Sequence, residues 1–147
     1  MKIYILLFFI TFSNISLAQN NASQDEVKQT IENFFVAFHA KDTIKLKIIC
    51  SDKMILQSVL ENSVETKLTF ESVSKFYKSI ATIPTTMTFL EKILSYSIQV
   101  DGAIANVWTP YEFYINGKLS HKGVNSFTLF KENNYWKIIY CIDTRRK

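Results

Sequence analysis

His121, Asp143 and Arg145 are the residues of this chain best suited to chemistry, because each interrupts a stretch that is otherwise apolar or aromatic. A charged group in such surroundings needs a partner. Strand alternation puts Lys137, Ile139, Cys141, Asp143 and Arg145 on one face and Trp136, Ile138, Tyr140, Ile142 and Thr144 on the other. Asp143 and Arg145 therefore share a side. One reading is an ion pair, joined by His121, that fixes the last strand. A second is ligand contact, since a guanidinium suits carboxylates and other planar anions. A third is acid–base chemistry: Asp143 abstracts a proton from a carbon acid or activates water, Arg145 stabilises the developing negative charge, and His121 exchanges a proton.

The rings that could surround such a group lie on the strand Val107 to Tyr114. There Trp108, Pro110, Glu112 and Tyr114 alternate with Thr109, Tyr111 and Phe113, so both faces carry rings. Trp108, Tyr111, Phe113 and, on the next strand, Phe127 are the candidate ligand contacts, together with Arg145. A shift of register would exchange the faces. Pro110 costs the sheet a donor and predicts a bulge or an edge. Rings on both faces of one sheet also call for cover on both, which predicts a homodimer.

The elements that must position these residues are legible from periodicity. Ser23 and Glu26 fit a capping box, and Val27, Ile31, Phe34, Phe35 and Phe38 follow as a helical stripe. His39, one position off that stripe, reads as a helix-end residue that caps or touches a neighbouring loop, with a catalytic role as the lesser alternative. Ile44, Leu46, Ile48 and Ile49 predict a short second helix with Asp42 or Thr43 at its start. Lys53 to Glu61 alternates as a strand. A third helix is predicted from a cap at Thr69 through Val73, Phe76, Tyr77 and Ile80, stopping before Pro84.

Four strands are predicted after it, roughly 86–100, 103–115, 119–131 and 134–144, with turns at Asp101-Gly102, Asn116-Gly117 and Asn133-Asn134. A meander with an apolar face needs the preceding helices as cover, which gives an α+β fold with antiparallel pairing.

The element order, with Val107 to Tyr114, Gly117, Ser120-His121, Gly123, Phe127, Trp136-Lys137-Ile138 and Asp143-Thr144-Arg145-Arg146, resembles a nuclear transport factor 2-like domain of the SnoaL-like or lumazine-binding-like kind found in exported bacterial proteins. The resemblance covers about residues 24–147. It implies a cone-like curved antiparallel sheet wrapped around the N-terminal helices, in a cystatin-like arrangement, with a hydrophobic pocket at its mouth and dimerisation through the outer sheet face. The enzymatic members use pocket carboxylates, often with His or Arg, and here only Asp143, His121 and Arg145 match. An early-helix carboxylate is missing, since Asp42 sits at a cap and Glu32 lies off the apolar stripe.

The N-terminus bears on compartment. Lys2, the apolar run Ile3 to Phe12 and the small residues Ser16 to Ala18 read as a signal peptide over 1–18, cleaved before Gln19, leaving a single domain over 19–147. The run is short for a stable membrane anchor. Export to the periplasm or the extracellular space follows. The formal charge of +4 lacks the basic stripe of a nucleic-acid binder. Two cysteines, Cys50 and Cys141, either form one bridge or stay separate thiols, and with two histidines they suggest no metal site. No glycine-rich phosphate loop suggests a nucleotide, so no cofactor is expected.

Three function classes follow: a noncatalytic module binding a small, partly apolar or anionic ligand; an isomerase or hydrolase acting without a cofactor; and a structural or protein-interaction domain. An open pocket favours the first, a filled one the last. The second needs a carboxylate and a proton donor converging on a vacant volume.

Overall fold

The computed structural model describes residues 4–147, with side chains from Ala22 onward. The expected leader over 1–18 and its cleavage site lie outside the residues whose side chains are described. Helix α1 spans Tyr4–His39, so Ser23 and Glu26 stand inside a helix and not at the expected capping box. Glu26 instead takes Lys131 Nζ at 2.7 Å and Trp136 Nε1 at 3.2 Å, tying α1 to the sheet. The stripe Val27, Ile31, Phe34 and Phe35 is buried in the core. The helix ends where Lys41 turns left-handed at φ 57°, a conformation that costs a residue other than glycine. Its ammonium offsets that cost by donating to the carbonyls of Pro84 and Met87, each at 2.9 Å.

Asp42 caps α2, Thr43–Ile49, by accepting from the Lys45 amide. Strands β1, Cys50–Glu61, and β2, Thr66–Glu71, then form a hairpin. Thr69, expected to cap the third helix, pairs with Ser58 in that hairpin, and Ser72 caps α3, Val73–Ala81, in its place. The single strand expected over 86–100 is two, β3, Phe89–Ile93, and β4, Ser97–Asp101, and both pair with β5, Ile104–Ile115. Strands β6, Lys118–Glu132, and β7, Tyr135–Arg146, complete the expected meander.

The sheet order is β2-β1-β7-β6-β5-β3, with β4 beside β5. The β1–β7 pair is parallel, which corrects the expectation of antiparallel pairing throughout. The chain reaches that edge through two helices, so no hairpin constrains its direction. The fold is α+β, a curved mixed sheet wrapped around the N-terminal helices.

Two irregularities set which side chains face inward. Register shifts between Thr128 and Leu129 where β6 meets Tyr140 and Ile138, so Ile139 is an extra residue on β7. Trp136 and Ile138 are consequently core residues, although strict alternation puts them opposite Asp143, which is also buried. A second shift makes Ser120 an extra residue between His121 and Leu119. Pro110 makes no bulge: it pairs in register with Val124, and its carbonyl accepts from Leu94 at the break between β3 and β4. The missing N–H falls where the neighbouring strand is interrupted.

Candidate functional site

Helices α1 and α3 do not fill the concave side of the sheet. Two adjoining cavities, of about 290 and about 390 Å³, share Phe38, Glu71, Phe76, Glu91, Asp143 and Arg145 as wall. The first runs inward past Phe34, Ser58, Asn125, Phe127 and Cys141, and the second opens past Phe89, Tyr111, Phe113 and His121. Volumes of this size suit a small organic molecule.

Asp143 is the most fully bonded group of the wall. It accepts from Ser58 Oγ, from Tyr111 Oη at 3.1 Å and from Arg145 Nε at 2.6 Å. Both oxygens are thereby occupied. The Tyr111 hydroxyl also lies 2.9 Å from the carbonyl of Thr144, and burial, reinforced by the Asp143 charge, holds it protonated. Arg145 is the partner that offsets the buried carboxylate.

Facing this pair stands Glu91, which sequence reasoning missed. Asn125, itself buried, donates to Glu91 Oε1 at 2.6 Å, and the main-chain N–H of Glu91 donates to His39 Nε2 at 2.9 Å. Burial pushes the Glu91 carboxyl up to about 7, with Asn125 opposing and the Asp143 charge adding to the rise. A signal for it existed. Phe89, Glu91 and Ile93 share one parity of β3, which sets a lone carboxylate on an otherwise apolar strand face. His39 meets a strand in place of the loop contact expected of it, and burial lowers its proton affinity.

Of the residues singled out from the sequence, His121, Asp143, Arg145, Tyr111 and Phe113 line the outer cavity and Phe127 the inner one. His121 forms no hydrogen bond to Asp143 or Arg145 among the described residues. It stacks on Phe113 with centroids 4.9 Å apart and takes a 3.2 Å contact from Ser120 Oγ. Burial, with the Arg145 charge behind it, favours the neutral imidazole. Trp108, expected among the pocket rings, projects from the opposite face and is 53% exposed. It shares the parity of Pro110 and Glu112, opposite to that of Tyr111.

Both cysteines are free. Burial pushes the Cys50 thiol up to about 12 and raises Cys141 as well, so neither is poised as a nucleophile. Among the described residues, no group of three His, Cys, Asp or Glu side chains is placed to hold a metal ion, and no helix is long and apolar enough to cross a membrane.

No family model matches the chain, and no curated protein matches it in sequence. Solved structures do match in fold. A protein of unknown function from Mycobacterium tuberculosis is similar at TM-score 0.71 and 9% identity, over 89% of this chain and 76% of that one. An NTF2-like protein with a cystatin-like fold from Novosphingobium aromaticivorans is similar at TM-score 0.66 and 10% identity, over 92% and 87% of the two chains. An NTF2-like protein from Cytophaga hutchinsonii gives 0.65 and 14%, over 83% and 97%. These likenesses show that the chain has the nuclear transport factor 2-like, or cystatin-like, fold.

Proposed function

We propose that this protein binds a small, partly apolar molecule in the two-part cavity. The observation that carries the reading is the cavity itself: phenylalanine rings recur along its wall, and polar groups, among them Glu91, Asn125, Asp143 and Arg145, share that wall with them. A protein-interaction domain would have had that space filled by its own side chains. The SnoaL-like or lumazine-binding-like kinship belongs to the same reading, as does export with a mature start at Gln19. Intact mass of the exported protein tests that start.

An NMR screen of small aromatic and alicyclic compounds tests the binding. Hits are expected to shift the Asn125 side-chain amide and the main-chain amides of Tyr111 and Glu91. A screen in which no compound moves these signals overturns the proposal.

Acid–base catalysis is the second reading, favoured by one observation. Glu91 gains and loses its proton near neutrality beside a carboxylate that Arg145 keeps paired, a division of roles that suits proton transfer. The proton acceptor is then better placed at Glu91 than at Asp143, whose oxygens are already bonded. On any substrate found, Glu91→Gln should abolish turnover while binding persists. Unchanged turnover would remove this reading.

A further inference from the structure

We propose that the cavity takes an organic cation, an amine or quaternary ammonium group carried on an aromatic or alicyclic body. This rests on the small-molecule reading above and names its ligand class. The chain as a whole is basic, at +4, yet the shared cavity wall sets Glu71, Glu91 and Asp143 against one guanidinium. Arg145 is already committed, with its Nε 2.6 Å from Asp143 Oδ2. That pair offsets itself and leaves Glu71 and Glu91 on the wall the two cavities share, against Lys75, which lines the first cavity alone. Neither forms a salt bridge among the described residues.

Glu91 has one donor, Asn125, on one oxygen, and no protein donor reaches the other among the described residues. A neutral apolar ligand would leave that oxygen unpaired, and a carboxylate ligand would face like charge. A cationic head satisfies it. The neighbouring rings suit the same occupant, because Phe38, Phe76, Phe89 and Phe113 line the cavity beside the carboxylates and aromatic rings attract cations. The anionic-ligand expectation for Arg145 is the less favourable one in this field.

The pH dependence has a definite sign. A bound cation favours ionised Glu91, so affinity rises as pH passes through the neutral range in which this carboxyl ionises. The titratable and charged groups around it are His39 on α1, Lys75 on α3, Glu71 on β2, Tyr111 on β5, His121 on β6, and Cys141, Asp143 and Arg145 on β7. Burial lowers both histidines and raises Tyr111 and Cys141, which moves those four away from neutrality.

NMR titration of the purified protein with benzyltrimethylammonium, its uncharged isostere neopentylbenzene and the anion phenylacetate decides the matter, since the charge of the first probe does not titrate. The cation should bind about tenfold more tightly than the isostere. Its affinity should rise severalfold between about pH 6 and about pH 8, and Glu91→Gln should remove both the preference and the slope. If that variant does not fold, the slope in the unmodified protein and the loss of preference in Glu71→Gln carry the test. Equal or tighter binding of the neutral or anionic probe overturns the cation inference and leaves the small-molecule reading standing. No binding by any of the three overturns it as well, and the small-molecule reading is then judged by the compound screen.

Discussion

Gly123 and Thr144 approach so closely that a Cβ on the glycine would collide with the Thr144 carbonyl. The β6–β7 ladder pairs Lys122 with Arg146 and Asn125 with Asp143 but leaves Gly123 and Val124 unpaired, and the Val124 amide turns to Thr144 Oγ1 at 3.1 Å. This local break carries the Thr144 carbonyl to Tyr111 and sits between the two ionic residues of the cavity wall. Gly123→Ala should therefore cost about 1–3 kcal/mol by overpacking against the main chain. Urea denaturation reads it, and an unaltered midpoint would mean that the approach is not obligatory.

The Tyr111 hydroxyl has two acceptors and one hydrogen, so its removal leaves Asp143 or Thr144 short of a donor in a buried place. Tyr111→Phe is expected to lower stability by about 1–2 kcal/mol while the secondary structure is retained. Denaturation followed by circular dichroism checks both parts. A variant as stable as the parent would show that water replaces the hydroxyl at no cost.

Glu91 makes stability depend on pH in the direction opposite to most carboxylates. Its folded value is raised, so the folded state binds the proton more tightly; the stabilisation is complete below the unfolded value of 4.5 and is lost as pH rises through about 7. The half-buried histidines work the other way, because lowered folded values make stability rise with pH up to about 6.5. Comparing the protein with Glu91→Gln cancels the histidines. The variant should gain on the order of 2 kcal/mol relative to the parent on going from about pH 5 to about pH 8. Parallel profiles would show that the carboxyl is not held neutral.

Much of this architecture was legible because it rests on local signals. The helical stripe Val27 to Phe38, the cap at Asp42 and the three asparagine or aspartate turns each depend on a few neighbouring residues. What escaped depends on distant partners. Nothing local makes β1 pair parallel to β7, and nothing in Thr66–Glu71 declares a strand until Ser58 and its neighbours stand opposite. The extra residue Ile139 overturned strict alternation on β7 while leaving Asp143 and Arg145 together. In the cavity, the Asp143–Arg145 pair was readable from parity alone. Glu91 was not singled out, since its meaning as a buried carboxylate comes from Asn125, 34 residues away in sequence but adjacent across the fold.

The outer face of the sheet carries the homodimer proposal. Trp108 is 53% exposed there, and Ile104 and Phe130, directly opposite each other on β5 and β6, are 46% and 44% exposed. Large apolar groups gathered on a sheet face favour burial against a second copy. Light scattering at tens of micromolar should give the mass of a dimer. Trp108→Glu should give a monomer of unchanged fold, because the substituted side chain already stands in solvent within one chain and its charge is costly only when a partner covers it. The cavity opens on the concave side, so this variant should keep its ligand shifts at Asn125 and Tyr111. A monomeric parent protein would reject the assembly, and a dimeric Trp108→Glu variant would move the contact away from this face.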